Sequence, residues 1–150
     1  MGHQISALVG PSRIRRAKAR EFDLPFFEEN GFVIVALDPS HSDFWDEKLG
    51  YNHEKVSDVL LDTECTHFFA KELGLNKFSI IFTDYFGGVG DQVAAAYQEG
   101  EQILKPTKNG INKALKKLGV KRTLRQDQFD VLGLGKYRNW DNHFEKYQDL

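Results

Sequence analysis

One cysteine, one methionine and four prolines are all that this 150-residue chain holds of those residue types. With Cys65 alone, no internal disulfide can form, so a disulfide scaffold is excluded and folding does not depend on oxidising surroundings. No apolar run approaches the ~18 residues needed to cross a bilayer. The stretch Ile5 to Val9 is too short for a signal-peptide core and no basic region precedes it, so a cytoplasmic location is expected. The pattern Met1-Gly2-His3-Gln4-Ile5-Ser6 fits a loose myristoylation signal, with Arg13, Arg15, Arg16, Lys18 and Arg20 following. A chain start running into a buried strand accounts for it equally well, and no membrane partner is expected. The signatures G-x-S-x-G, H-E-x-x-H and C-x-x-C are missing as well. Nor is there an internal repeat, a low-complexity tract or a linker, which leaves one globular domain over residues 1–150.

What is present suits a packed core: 41% of the residues are hydrophobic, with 12 Phe and 2 Trp. The net charge is only −2, yet it is unevenly spread. Residues 38–104 sum to about −9 and residues 105–150 to about +6. Such asymmetry marks either a binding surface or two faces that attract each other inside the fold.

Hydrophobic patterning predicts an α+β fold with a mixed, largely antiparallel sheet of about four to five strands and helices packed on it. Strands are expected at 4–9, 32–37, 78–85 and 92–98, with helices near 63–73 and 108–118. The run Phe32 to Leu37 is the clearest buried strand, being continuous and bounded by Gly31 and Pro39. Leu24-Pro25-Phe26-Phe27 suggests a turn into a short helix closed by Asn30-Gly31. Ser40 or Ser42 is placed to cap a helix carrying Phe44, Trp45 and Leu49 and ended by Gly50. The alanines of 92–98 permit a helix, but the glycine-bearing turns on either side favour a β-meander. Pro106 and Thr107 read as the opening of the helix whose stripe is Ile111, Ala114, Leu115 and Leu118. The aromatics Trp140, Phe144 and Tyr147 should pack the tail back on the body.

The loop Gly87-Gly88-Val89-Gly90 is the most unusual feature. A P-loop would need lysine and Ser or Thr where Asp91 and Gln92 stand, and a dinucleotide fingerprint fails at Val93. A turn between antiparallel strands, with Gly87, Gly88 or Gly90 at positive φ, is expected instead. Asp38, His41, Asp43 and Asp46 offer metal-type ligands after a strand, but the spacing matches neither zinc nor calcium sites. Asp38-Pro39-Ser40 is also an ordinary capping sequence, and neither a metal nor a cofactor is expected. Cys65 and His67 would point apart on a helix, and His3, His53 and His143 show no partner in the sequence. Lys113, Lys116, Lys117, Lys121, Arg122 and Arg125 form a basic run. On a chain slightly acidic overall, that run reads as a solvated helix face, so nucleic acid is disfavoured as a partner.

Three segments resemble a family of small bacterial cytoplasmic proteins of unassigned function. They are Thr83-Asp84-Tyr85-Phe86-Gly87-Gly88-Val89-Gly90-Asp91-Gln92, Ile111-Asn112-Lys113-Ala114-Leu115-Lys116-Lys117-Leu118-Gly119-Val120, and Asp127-Gln128-Phe129-Asp130-Val131-Leu132-Gly133-Leu134-Gly135-Lys136-Tyr137-Arg138. The resemblance implies a bacterial cytoplasmic origin and one domain along the whole length. It implies no activity and no catalytic residue.

The sequence thus points to a non-enzymatic binding protein, for example an immunity protein that neutralises a basic toxin through an acidic surface. Asp43, Asp46, Glu47, Glu54, Asp58, Asp84 and Asp91 are the candidate contacts. The alternative is a small enzyme or ligand-binding domain using the aspartates near the 84–91 glycine loop. A cavity holding two of Asp38, Asp84 and Asp91 would favour that alternative.

Overall fold

The sheet begins with an apolar strand buried on both faces, β1 (His3–Pro11), and everything else is arranged around it. The computed structural model of the chain describes residues 3–11, 13–51, 59–86 and 89–148. In chain order β1 is followed by α1 (Arg16–Glu21), β2 (Phe26–Glu29), β3 (Phe32–Leu37), α2 (Pro39–Leu49) and α3 (Glu64–Leu73). Then come β4 (Lys77–Phe86), β5 (Val89–Gln98), β6 (Glu101–Lys108), α4 (Ile111–Lys117), α5 (Gln128–Val131) and α6 (Asp141–Phe144). The six strands form one sheet in the order β2-β3-β1-β4-β5-β6, and every neighbouring pair is antiparallel.

Alternation along each strand sends side chains to two separate cores. On one face Leu8, Val33, Val35, Phe78, Ile80 and Ala95 meet Phe22, Trp45, Phe69 and Leu73 from α1–α3 and the loop after α1. On the other, Ile5, Ala7, Val9, Ile34, Ile81, Ala94 and Ala96 meet Ile111, Ala114, Leu115, Trp140 and Phe144 from α4 and the tail. A sheet covered on both faces explains why β1 and β3 are buried along consecutive residues rather than at alternate ones. The tail does pack back: Trp140 Nε1 donates to the Ser6 carbonyl at 2.8 Å and its ring stacks on Phe27.

The four expected strands share the sheet, and the segment 92–98 is strand rather than helix. Three expectations are corrected. Phe26–Glu29 is a strand, because Asn30 (φ 49°) and Gly31 (φ 83°) form a two-residue hairpin turn of the kind that needs positive φ twice. Glu99 and Gly100 make the equivalent turn between β5 and β6. Pro106 and Thr107 belong to β6, and α4 starts only at Ile111. Proline is tolerated there because β6 is an edge strand whose pairing with β5 shifts register between Ala94 and Ala96. The cap of α2 is Asp38, whose carboxylate accepts from His41 N at 3.1 Å, with Pro39 in the first turn.

The glycine loop does join two antiparallel strands, with Phe86 paired to Val89. Gly87 and Gly88 lie outside the described residues. Gly90 pairs with Tyr85 and is not among the glycines at positive φ. Its need for glycine is spatial: a Cβ there would overlap the Asp84 carbonyl and lie 2.7 Å from Tyr85 Cα. Gly90→Ala is therefore expected to destabilise by about 1–3 kcal/mol, as over-packed sites do. Urea denaturation of the variant measures this, and an unchanged midpoint would remove the spatial argument.

Candidate functional site

A cavity of about 330 Å³ opens beside the glycine hairpin, between the sheet and α4–α5. His3, Tyr85, Gln92, Asn112, Asp127, Phe129 and Gly135 line it, coming from β1, β4, β5, α4, α5 and the turns beside α5. Strand alternation sets its floor. Tyr85 and Gln92 stand on the face opposite Asp84 and Asp91, because the side-chain period of a strand is two.

The polar groups are held by a connected set of hydrogen bonds. Ile111 N donates to Gln92 Oε1 at 2.9 Å, which fixes the amide so that Gln92 Nε2 donates to Tyr85 Oη at 2.9 Å. Tyr85 keeps its own hydroxyl proton for donation. Phe129 N donates to Asn112 Oδ1 at 2.9 Å, so Asn112 Nδ2 faces Asp127 Oδ2, 3.1 Å away. Asp127 also caps α5 by accepting from Asp130 N at 2.9 Å. Burial works to raise the Asp127 carboxyl, but the bonds from Asp130 and Asn112 outweigh it and hold it below the usual range, so it is a carboxylate.

His3 joins the rings of Tyr85 and Phe129, with centroids 6.3 and 6.1 Å from its own. Its Nδ1 meets the Tyr137 carbonyl and its Nε2 meets Thr83 Oγ1. A carbonyl only accepts, so Nδ1 carries the proton and Nε2 accepts from the threonine hydroxyl. Burial pushes the imidazole pKa down, which agrees with that neutral form. Both ring nitrogens are thus committed, and both Asp127 oxygens have donors. The arrangement suits recognition; a general acid or base would have to break one of these bonds first.

A second cluster stands on the opposite face. Asp62, almost fully buried, accepts from the Tyr97 hydroxyl through Oδ2 and meets His67 Nε2 through Oδ1 at 2.7 Å. Gln102 Nε2 donates to Tyr97 Oη at 2.9 Å, and the His67 and Tyr97 rings are 4.5 Å apart. A second cavity of about 330 Å³ is lined by Gln4, Ser6, Leu37, Asp38, Phe82, Trp140 and Asp141 among others.

The residues expected from sequence are dispersed. Asp43 and Glu47 are exposed on α2, whereas Asp46 on the same helix is 2% exposed and takes no part in an acidic surface. It lies against Cys65, whose thiol is pushed up by burial and by that carboxylate. Glu54 and Asp58 lie outside the described residues. Asp84 and Asp91 face each other across β4 and β5, and Lys108 Nζ sits 3.5 Å from Asp91. Neither cavity gathers two of Asp38, Asp84 and Asp91. The metal-type set comes apart: Asp38 caps α2, His41 is buried with Nε2 2.7 Å from the Phe22 carbonyl, and Asp43 faces out.

His3 and His67, read from sequence as lacking partners or pointing away from one, both have them. Their partners are 80 and 134 residues away for His3 and 5 residues away for His67. Only the Asp62–His67 spacing was visible in the sequence, and it has no helical period to flag it. Comparison with models of protein families, with curated proteins and with solved structures gave no match.

Proposed function

We propose that this protein is a non-catalytic binding domain that takes a small, uncharged polar molecule with a flat face in the cavity of His3, Tyr85, Gln92, Asn112 and Asp127. The carrying observation is the convergence of aromatic walls with oriented donors and one carboxylate in a space of about 330 Å³, which lies in the range of ordinary ligand pockets. The Tyr85 hydroxyl and the remaining Gln92 and Asn112 amide protons offer three donors, and Asp127 offers an acceptor. His3 and Phe129 supply flat apolar contact.

A second reading, a basic protein partner for the acidic side, is supported by one finding. Among the described residues a single ion pair, Lys108 Nζ to Asp91 at 3.5 Å, joins an acidic side chain of 38–104 to a basic one of 105–150. Both of its side chains are exposed, so this pair contributes little and leaves the difference in charge between the two regions in place.

Thermal-shift measurements with a panel of nucleobases, nucleosides and monosaccharides test the first reading. A ligand at a hundredfold its Kd should stabilise the parent by about 2.7 kcal/mol. Tyr85→Phe should weaken that ligand by about tenfold, the cost of one lost hydrogen bond. A panel with no stabilising member, together with salt-sensitive retention on an immobilised basic protein, would transfer the case to the second reading.

A further inference from the structure

We propose that α4 and the loop after it form a docking surface for an anionic membrane, with Leu124 entering the interfacial layer. Lys113, Lys116 and Lys117 are exposed on α4, and Lys121, Arg122 and Arg125 are exposed on the loop that follows. Positions 113–126 contain these six cations and no acidic residue. The nearest acids in sequence, Asp127 and Asp130, stand where the loop meets α5. Lys116 and Lys117 also complement the negative end of α4, but that accounts for only two of the six.

The loop is built rather than slack. Val120 is buried and its N–H donates to the Leu115 carbonyl at 3.0 Å, which pins the loop to the end of α4. Thr123 N donates to the Gln126 carbonyl at 2.8 Å, and Thr123 Oγ1 accepts from Gln126 N at 3.0 Å. This hydroxyl-closed turn holds Leu124 at its apex, where the side chain is as exposed as in an extended peptide, at 104%. Only one other large hydrophobic among the described residues, Val59, is exposed at all comparably, at 46%.

The two observations select the partner. Six cations, of which only Arg122 acts on a nearby acid, Asp127, call for a polyanion, and lipid headgroups and nucleic acid both qualify. Leu124 decides between them. Against a nucleic acid backbone the leucine would stay in water, unless it were wedged between base steps at the cost of unstacking them. At a lipid interface the flanking cations meet headgroup phosphates while the apolar apex enters the acyl boundary. The fold also orients the molecule. The six cations all lie on the α4 side of the sheet, which would turn that side towards an anionic surface. No helix among the described residues is long and apolar enough to cross a membrane, and none is needed for a protein that lies on the surface.

Vesicle co-sedimentation tests this, with phosphatidylcholine alone and with phosphatidylcholine containing phosphatidylserine. The protein should sediment only with the phosphatidylserine vesicles and be released at ~0.5 M salt, where screening acts over about 4 Å. Lys116→Glu and Lys117→Glu should each reduce partitioning by about fivefold or more. Leu124→Trp should add an emission component that shifts to shorter wavelength on phosphatidylserine vesicles. The parent, whose Trp45 and Trp140 are buried, should show no shift. Sedimentation that ignores phosphatidylserine overturns the proposal. So does binding in which the Leu124→Trp emission stays unshifted, or retention by a DNA or RNA duplex in place of the vesicles.

Discussion

Phe144→Ala is expected to destabilise the protein by about 3–5 kcal/mol, the range for emptying a fully buried aromatic site. Phe144 is 0% exposed although it lies only six residues from the end of the chain. It packs in the core that holds Ile34, Ile81, Leu115 and Trp140, and its ring lies 5.1 Å from that of His41 on the opposite helical layer. The tail is fastened on either side of it. Tyr147 Oη and Lys146 Nζ both reach Asp23 Oδ2 at 2.6 Å, and Tyr137 Oη donates to Glu29 at 2.9 Å. Hydrogen bonds of this kind contribute about 1 kcal/mol each, so the aromatic burial dominates. Urea denaturation gives the number. A loss below about 1 kcal/mol would mean that the tail is not part of the cooperative core.

Asp62→Ala is expected to cost about 3–5 kcal/mol, because it removes the shared acceptor of Tyr97 and His67 from a buried site. Tyr97→Phe should cost less, about 1–3 kcal/mol, since it removes two hydrogen bonds, to Asp62 and from Gln102, but keeps the ring and the His67 bond. The same clamps set the alkaline limit of stability. Burial, then the Asp62 carboxylate, pushes the Tyr97 hydroxyl up from 10.0 to about 12. Burial, then Glu29, does the same to Tyr137, also to about 12. Burial with Asp23 raises Tyr147 as well.

A raised folded-state pKa means that the folded protein holds these protons more tightly than the unfolded chain does. The contribution is therefore complete below about pH 10 and is lost as the pH rises towards about 12. Denaturation midpoints across that interval should fall steadily, while tyrosinate absorbance shows the protected hydroxyls titrating late. A parent protein equally stable at about pH 9.5 and about pH 11.5 would show that these bonds do not bear on folding.

Local signals were legible wherever one residue type dictates one conformation. Phe32 to Leu37 could only be a strand buried on both faces, and Gly50 and Gly74 could be placed at helix ends from composition alone. Where a signal had two meanings, context chose. Asn30-Gly31 serves as a helix end or as a hairpin turn, and the neighbouring β3 strand made it a hairpin. Pro106 opens a helix or sits on a sheet edge, and the position of β6 as last strand made it an edge residue.

The acidic-surface expectation counted charges along the chain, which carries no depth. Asp46 falls on the buried side of α2 and Asp43 on the exposed side, three residues apart. The candidate cavity was invisible for a different reason. Its polar residues belong to segments up to 124 positions apart, His3 to Asp127, each satisfied by partners that no spacing rule links.

By itself the sequence determined the α+β class, a largely antiparallel sheet with helices packed on it, the absence of an internal disulfide and the separation of charge along the chain. Those properties follow from residue type and short-range periodicity, which act over a few bonds. Only the tertiary structure decided which aspartates reach solvent, that Tyr85 and Gln92 share a face opposite Asp84 and Asp91, and that His3 meets Tyr137. Those facts depend on strand register and on the path of the tail. A one-residue slip in register would send every one of these side chains to the other face.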